Sequence, residues 1–130
     1  MEKITTEQTT PYNNEELEYF RKIILVKRKQ ALNELESLQN TIKESHENDS
    51  DESAYSFHIA DAGSDMQERE KTYMLIHRTR KFIIYLDEAL KRIDNKTYGI
   101  CKVTGKKISK GRLEAVPHTQ LSIEAKLKRH

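Results

Sequence analysis

Apolar residues recur at helical spacing along two long stretches of the chain. The first stripe is Leu17, Ile24, Ala31, Leu35, Leu38 and Ile42, the last four spaced 4, 3 and 4. That period predicts an amphipathic helix from Asn14 to about Ser45. Asn14 is its expected N-cap, and Glu15, Glu16 and Glu18 suit the positive end of the helix dipole. The second stripe is Ile76, Thr79, Ile83, Leu86, Leu90 and Ile93, spaced 3, 4, 3, 4 and 3, with Leu75, Phe82, Tyr85 and Ala89 expected to widen it. It predicts a helix from near Asp61 to near Asn95, where Lys91, Arg92 and Lys96 match the negative end. The segment HENDSDESAYSF between the stripes carries no helical period and is expected to be a loop over about 46–60.

Two stripes of this kind bury one another most simply as an antiparallel pair. The expected fold is therefore mainly α: a long antiparallel helical hairpin, or coiled coil, over 14–95. A polar segment over 1–13, expected to be flexible, precedes it. The period changes after Asn95. Tyr98–Val103 reads as a short strand entering a turn at Thr104 and Gly105, with Lys107 and Ile108 on the return. Pro117 breaks the chain, and Thr119 is the expected cap of a last helix through about Lys128, with Leu121, Ala125 and Leu127 available for packing. Residues 96–130 thus form a small knuckle with a C-terminal helix.

Within that knuckle, Cys101 and Thr104, then Ser122 and Ala125, have the spacing of two zinc-ligand pairs. A structural zinc site takes about four thiolate or imidazole ligands, and Thr104, Ser122 and Ala125 supply none. His118 lies nearby, but one Cys and one His do not hold the ion. Cys101 is accordingly read as a small buried apolar side chain, and no zinc is expected.

Composition sharpens this picture. Charged residues make up 34 % of 130 and the mean hydropathy is −0.85, which suits thin helices with one buried seam rather than a thick core. A single cysteine allows no internal disulfide. The longest aliphatic run, Ile23–Val26, is far short of the roughly 18 residues of a membrane span, and no secretory signal opens the chain; the expected location is cytoplasmic. The net charge of +2 conceals an asymmetry. Residues 44–68 carry eight acids and no Lys or Arg, whereas residues 71–130 carry fifteen Lys and Arg against five acids. The asymmetry reads either as a solvated surface or as an acidic middle and basic remainder that would orient the molecule on a charged partner.

Catalytic motifs are missing: no nucleophile elbow, phosphate-binding glycine loop or HExxH pattern occurs. The histidines His46, His58, His77, His118 and His130 are scattered and read as surface residues. Asp61 and Asp65 form a spaced carboxylate pair at the expected entry to the second helix. The helix dipole accounts for them as structural acids, and binding is the alternative role.

The stretches KFIIYLDEALKRIDNKTYGIC and GRLEAVPHTQLSIEAK, with the turn between them, resemble the DksA/TraR family of bacterial transcription factors. The resemblance covers about Asp61–Lys126 and reaches the first helix by pattern alone. The family joins a helical hairpin to a four-cysteine zinc finger with C-x2-C-x17-C-x2-C spacing, reproduced here at Cys101, Thr104, Ser122 and Ala125 with three ligands replaced. The resemblance implies a partner, RNA polymerase, whose secondary channel the hairpin enters with an acidic tip. The family's tip motif D-x-x-D-x-A falls on His58, Asp61 and Gly63, so one Asp is kept, with Asp65 nearby. Some members bind the alarmone guanosine tetraphosphate through basic residues. Of three such positions Lys126 is basic while Tyr85 and Val116 are not, so no alarmone site is expected.

These observations lead to an expected transcription regulator without catalysis of its own or a cofactor. Asp61, Gly63 and Asp65 would meet the polymerase at the tip, and Arg78, Lys81 and Arg92 along the stem. No sequence-specific DNA contact and no membrane contact are expected. The alternatives are a coiled-coil protein adaptor that never touches polymerase, and a nucleic-acid-binding protein that uses the basic base.

Overall fold

The computed structural model describes the backbone of residues 9–49 and 52–128, and the side chains of these outside 45–65. Its elements are helices α1 (Asn14–Asp49), α2 (Glu52–Asp94), α3 (Lys110–Ala115) and α4 (Ile123–Lys128). The chain divides into two units, one of residues 1–28 and 84–130 and one of residues 29–83.

Helix α1 starts from a reciprocal cap. The Glu16 amide donates to Asn13 Oδ1 at 2.8 Å, and the Asn13 amide donates to Glu16 Oε1 at 3.0 Å. Two of the amides left unpaired at a helix start are thereby satisfied. The cap is thus Asn13 rather than Asn14, whose side chain instead accepts from Lys96 Nζ at 2.7 Å. At the other end of the pair, α2 closes in a Schellman turn. The Thr97 amide donates to Arg92 O at 2.8 Å and the Lys96 amide to Ile93 O at 3.2 Å. Lys96 takes the left-handed conformation, φ 63°, that this turn requires.

In the first unit, Leu17, Phe20 and Ile24 of α1 and Leu86, Ala89 and Ile93 of α2 are all buried. Each large side chain so removed from water contributes about 1.5–3 kcal/mol. Arg21 pairs with Asp94 and Arg28 with Asp87, each at 2.6 Å. Ascending positions on α1 thus meet descending positions on α2, so the helices run antiparallel here. The seam positions Leu17, Ile24, Leu86 and Ile93 hold as expected, with Leu90 half-buried. Phe20 was not among the seam residues, yet it is fully buried.

The same unit contains the knuckle. Ile100 and Lys107 form an antiparallel bridge, and the Cys101 amide donates to Lys106 O at 2.8 Å. The two expected strands reduce to this bridge. Helix α3, not anticipated, is capped by Ser109, whose Oγ accepts from the Arg112 amide. Helix α4 is capped by Ser122, whose Oγ accepts from the Ala125 amide at 3.1 Å. Thr119, the expected cap, instead folds its hydroxyl onto the Leu121 amide and carbonyl. Ala125 is buried, Leu121 is half-buried, and Leu127 points to solvent.

A strap from before α1 binds the knuckle. The Thr10 amide donates to Lys96 O at 2.6 Å and its hydroxyl to Tyr98 O at 2.5 Å. The Tyr12 hydroxyl donates to Ile108 O. The Tyr12 ring meets Phe20 edge-on at 5.3 Å, and Phe20 meets Tyr98 at 5.5 Å. Gly99 lies beneath the Tyr12 ring with φ 85°, where an added Cβ would come within 2.6 Å of it. Residues 9–13, expected to fray, are thus tied down in part.

The second unit consists of the remaining stretches of α1 and α2. Ala31, Ile76, Thr79 and Ile83 are buried there, and Leu35, Leu38 and Ile42 are half-buried. Leu75, expected to widen the stripe, is exposed, as is Tyr85 in the first unit. The expected loop over 46–60 is instead helical at 46–49 and again from Glu52. Helix nucleation is the costly step, and extending an existing helix adds one hydrogen bond per residue fixed. A polar segment adjoining long helices therefore needs no apolar period of its own to be helical.

Candidate functional site

Cys101 is fully buried, as expected, but its surroundings are not apolar. Burial raises the thiol pKa. Hydrogen bonds from Ser122 and Thr104, through backbone and side chain alike, outweigh it and bring the value down to about 6. A thiolate that accepts several hydrogen bonds is favoured over the thiol. Two of the three residues at substituted ligand positions therefore act as donors to the sulfur, and the third, Ala125, adds a buried methyl. Cys101 is thus the small buried side chain expected, with its thiol pKa lowered by these neighbours. The donor set is wrong for zinc: one thiolate and two hydroxyls do not replace four thiolates. Among the described residues no group of three or more His, Cys, Asp or Glu is placed to hold a metal ion.

Beside the sulfur, the segment Val116–Leu121 is held by two guanidiniums. Arg92 Nη2 donates to His118 O at 3.2 Å, and Arg112 Nε donates to Leu121 O at 3.4 Å. The Tyr98 hydroxyl donates to Pro117 O at 2.7 Å, and burial drives its own pKa upward. The His118 ring stacks on Tyr85, centroids 5.9 Å apart and planes 2° from parallel. Burial, then the charges of Arg92, Arg112 and Lys27, push the His118 pKa below its usual value. His118 is therefore an internal, half-buried residue rather than a surface histidine. Burial also lowers the pKa of Arg92, against the opposing effects of Tyr98 and Glu88.

The sequence-predicted site residues fall into three groups. Asp61, Gly63 and Asp65 lie within α2, and their side chains are outside the described residues, as is that of His58. Asp61 is not in the first turn of its helix, which begins at Glu52. The helix dipole acts within that turn, so the dipole no longer explains either Asp. Arg78 and Lys81 are exposed on α2 in the second unit. Arg92, in the first unit, is half-buried and bound to the knuckle. Of the three positions compared with alarmone-binding residues, Lys126 and Tyr85 are exposed and Val116 is half-buried.

Sequence reasoning missed Lys27, Arg112 and the pairing of Tyr85 with His118. Only Pro117, which fixes a break beside His118, hinted that this imidazole has a defined place. Among the described residues no helix is long and apolar enough to cross a membrane.

Residues 96–129 match the model of the prokaryotic DksA/TraR C4-type zinc finger. The RNA polymerase-binding transcription factor DksA of Caulobacter vibrioides is 33% identical over 113 residues, covering 87% of this chain and 75% of that protein. The uncharacterized protein YteA of Bacillus subtilis is 45% identical over 65 residues, covering 50% of this chain and 27% of that protein. Among solved structures, transcription factor DksA2 from Pseudomonas aeruginosa superposes with a TM-score of 0.77 at 30% identity, covering 90% of this chain and 84% of that one.

Proposed function

Because the chain belongs to the DksA/TraR family, we infer that it regulates transcription by binding RNA polymerase. The observation that carries this reading is the extent of the likeness to a polymerase-binding factor, 87% of the chain, which takes in the helical pair as well as the knuckle. The chain performs no catalysis of its own; its effect is that of a bound regulator. The hairpin enters the secondary channel of the polymerase, with Asp61, Gly63 and Asp65 as its acting residues. Arg78 and Lys81, exposed on α2, give affinity along the stem, and Arg92 supports that surface by holding the Val116–Leu121 segment.

The knuckle works without zinc. Thr104 and Ser122 bind the Cys101 sulfur in place of a metal, and the Tyr12 strap supplies the staple that a metal gives a small domain. Metal analysis of the purified protein is expected to give well under one zinc per chain, and a chelator should leave the melting temperature unchanged. One tightly held zinc per chain overturns the zinc-free reading.

The functional test replaces Asp61 and Asp65 together with Asn, which removes two charges and keeps side-chain size. The variant should fold and should bind polymerase within about tenfold of the parent, ~1.4 kcal/mol. It should lose most of its effect on purified transcription. Normal regulation by this variant overturns the role of the two carboxylates. Failure of the parent to bind polymerase at about micromolar concentration, ~8 kcal/mol, overturns the function itself and leaves a coiled-coil adaptor as the better reading.

A further inference from the structure

From Asn95 to Leu113 the chain carries Lys96, Lys102, Lys106, Lys107, Lys110 and Arg112, with no Asp or Glu in nineteen consecutive residues. Folding neither buries nor neutralises the lysines. All five are exposed, and among the described residues none forms an ion pair with a carboxylate. Two of them are held in place: Lys107 Nζ lies 4.8 Å above the Tyr12 ring and Lys110 Nζ 5.4 Å above the Tyr19 ring. Both rings pack on Phe20 at 5.3 Å, so these two ammonium groups share one rigid support. The nearby carboxylate of Glu114 accepts from the Tyr19 hydroxyl at 2.6 Å.

The backbone of this run is open as well. A Cβ at Gly105 or Gly111 would meet nothing within 4 Å, and both residues are exposed. Exposed ammonium groups that no described carboxylate neutralises, with small residues between them, suit a regular array of phosphates. Duplex DNA offers one negative charge per ~1.7 Å of its axis. Single strands are held differently, by stacking bases on exposed aromatic rings. The only aromatic residue in the run, Tyr98, is fully buried, and its one guanidinium, Arg112, is half-buried and donates through Nε to Leu121 O, which leaves the exposed charge to lysines, point charges suited to phosphates.

We propose that the acid-free run of the knuckle, with the exposed Lys102, Lys106, Lys107 and Lys110, docks on the phosphate backbone of duplex DNA without reading its sequence. This contact is additional to polymerase binding and does not rest on it.

The test is fluorescence anisotropy of the full chain with a random-sequence DNA duplex, polymerase absent, over about 50–200 mM salt. Four phosphate contacts predict a log–log salt slope of about −3 to −4. The Lys102→Gln, Lys106→Gln variant disturbs no packed contact. It should make the slope shallower by about two and weaken binding roughly tenfold at ~100 mM salt. Lys29→Gln, Lys43→Gln, exposed positions on α1, should change neither. A parent slope shallower than about −1 overturns the proposal. So does unchanged binding by the Lys102, Lys106 variant, an equal loss in the α1 variant, or tighter binding of a single strand than of the duplex.

Discussion

The two units bury themselves to different depths. In the first, Leu17, Phe20, Ile24, Leu86, Ile93, Tyr98, Ile108 and Leu113 are all under about a fiftieth exposed. In the second, the best-covered described residues are Ala31, Ile76, Ile83 and Thr79, at 4–8 %. A helix pair covers one stripe of each partner and leaves its edges wet, whereas the knuckle and strap add further surfaces that close over the stripe. Buried polar groups follow the same division. The first unit pairs the hydroxyls of Tyr12 and Tyr98 with backbone carbonyls; among the described residues the second buries one polar side chain, Thr79. The lesson is that the unit with the substituted ligand positions is also the one over which the knuckle and strap supply a third packing surface.

The sharpest way to break this comparison is a matched pair of truncations. Leu86→Ala is expected to cost ~3–5 kcal/mol and Ile76→Ala ~2 kcal/mol, the two ends of the usual range, because the site around Leu86 has more fixed partners to lose. Leu86→Asp should be worse still, since it buries an unpaired charge. Urea unfolding measures all three, and equal costs for the two alanine variants would erase the distinction between the units.

Next in size is Gly99→Ala. The new methyl would meet Tyr12 at 2.6 Å on a backbone at φ 85°, so a loss of ~1–3 kcal/mol is expected. Tyr12→Leu placed on the Gly99→Ala background should return part of it if the clash with the ring is the cause. Thermal denaturation of the single and double variants decides.

Titration tests the sulfur cage. The folded value for Cys101, about 6, lies below the ordinary 9.0. Its contribution to stability is fully present above the unfolded pKa and declines as pH falls from about 9 through the folded value. The melting temperature of the parent should therefore fall over that window relative to Cys101→Ala. Ultraviolet absorbance of the thiolate should give a higher pKa in Thr104→Val. An unshifted thiol in the folded parent returns Cys101 to the role of simple filler. His118, whose pKa is lowered by burial and by its cationic neighbours, acts in the adjacent window: its stabilisation is present above about 6.5 and is lost as pH falls below it.

The smallest expected effect belongs to Arg28 and Asp87. Their side chains are 35% and 41% exposed, so a double-mutant cycle should give under about 1 kcal/mol, shrinking as salt is added. A larger coupling would mean that charge, rather than burial, secures this end of the helix pair.

Periodicity made the helix pair legible because each seam must face its partner, and Leu17, Ile24, Ile83, Leu86 and Ile93 stand where spacing put them. The junction was misread because polarity was taken for a turn, although helix extension does not depend on an apolar stripe. Caps were misplaced by one residue at Asn13 and by three at Ser122, since Asn, Ser and Thr serve caps and local turns equally well. The ligand spacing exposed the three substituted ligand positions, but not what their side chains do. Whether a hydroxyl turns toward a sulfur depends on tertiary placement, which the order of Thr104 and Ser122 does not encode. Tyr85, placed on the apolar stripe, proved instead to be the stacking partner of His118.

The strap also dictates an order of events during synthesis. Thr10 reaches Tyr98 across 88 positions, and Tyr12 reaches Ile108 across 96. Pairings so distant in sequence close late and slowly. On the ribosome, α1 emerges long before the carbonyls that its leading segment must meet, so the buried face of Phe20 waits uncovered while about eighty further residues are made. The helix pair can zip in the meantime, but the knuckle cannot be completed from its own residues alone. A chain interrupted before Ile108 should therefore hold a helix pair with an unfinished knuckle, and the docking of Tyr12 on Ile108 O completes it.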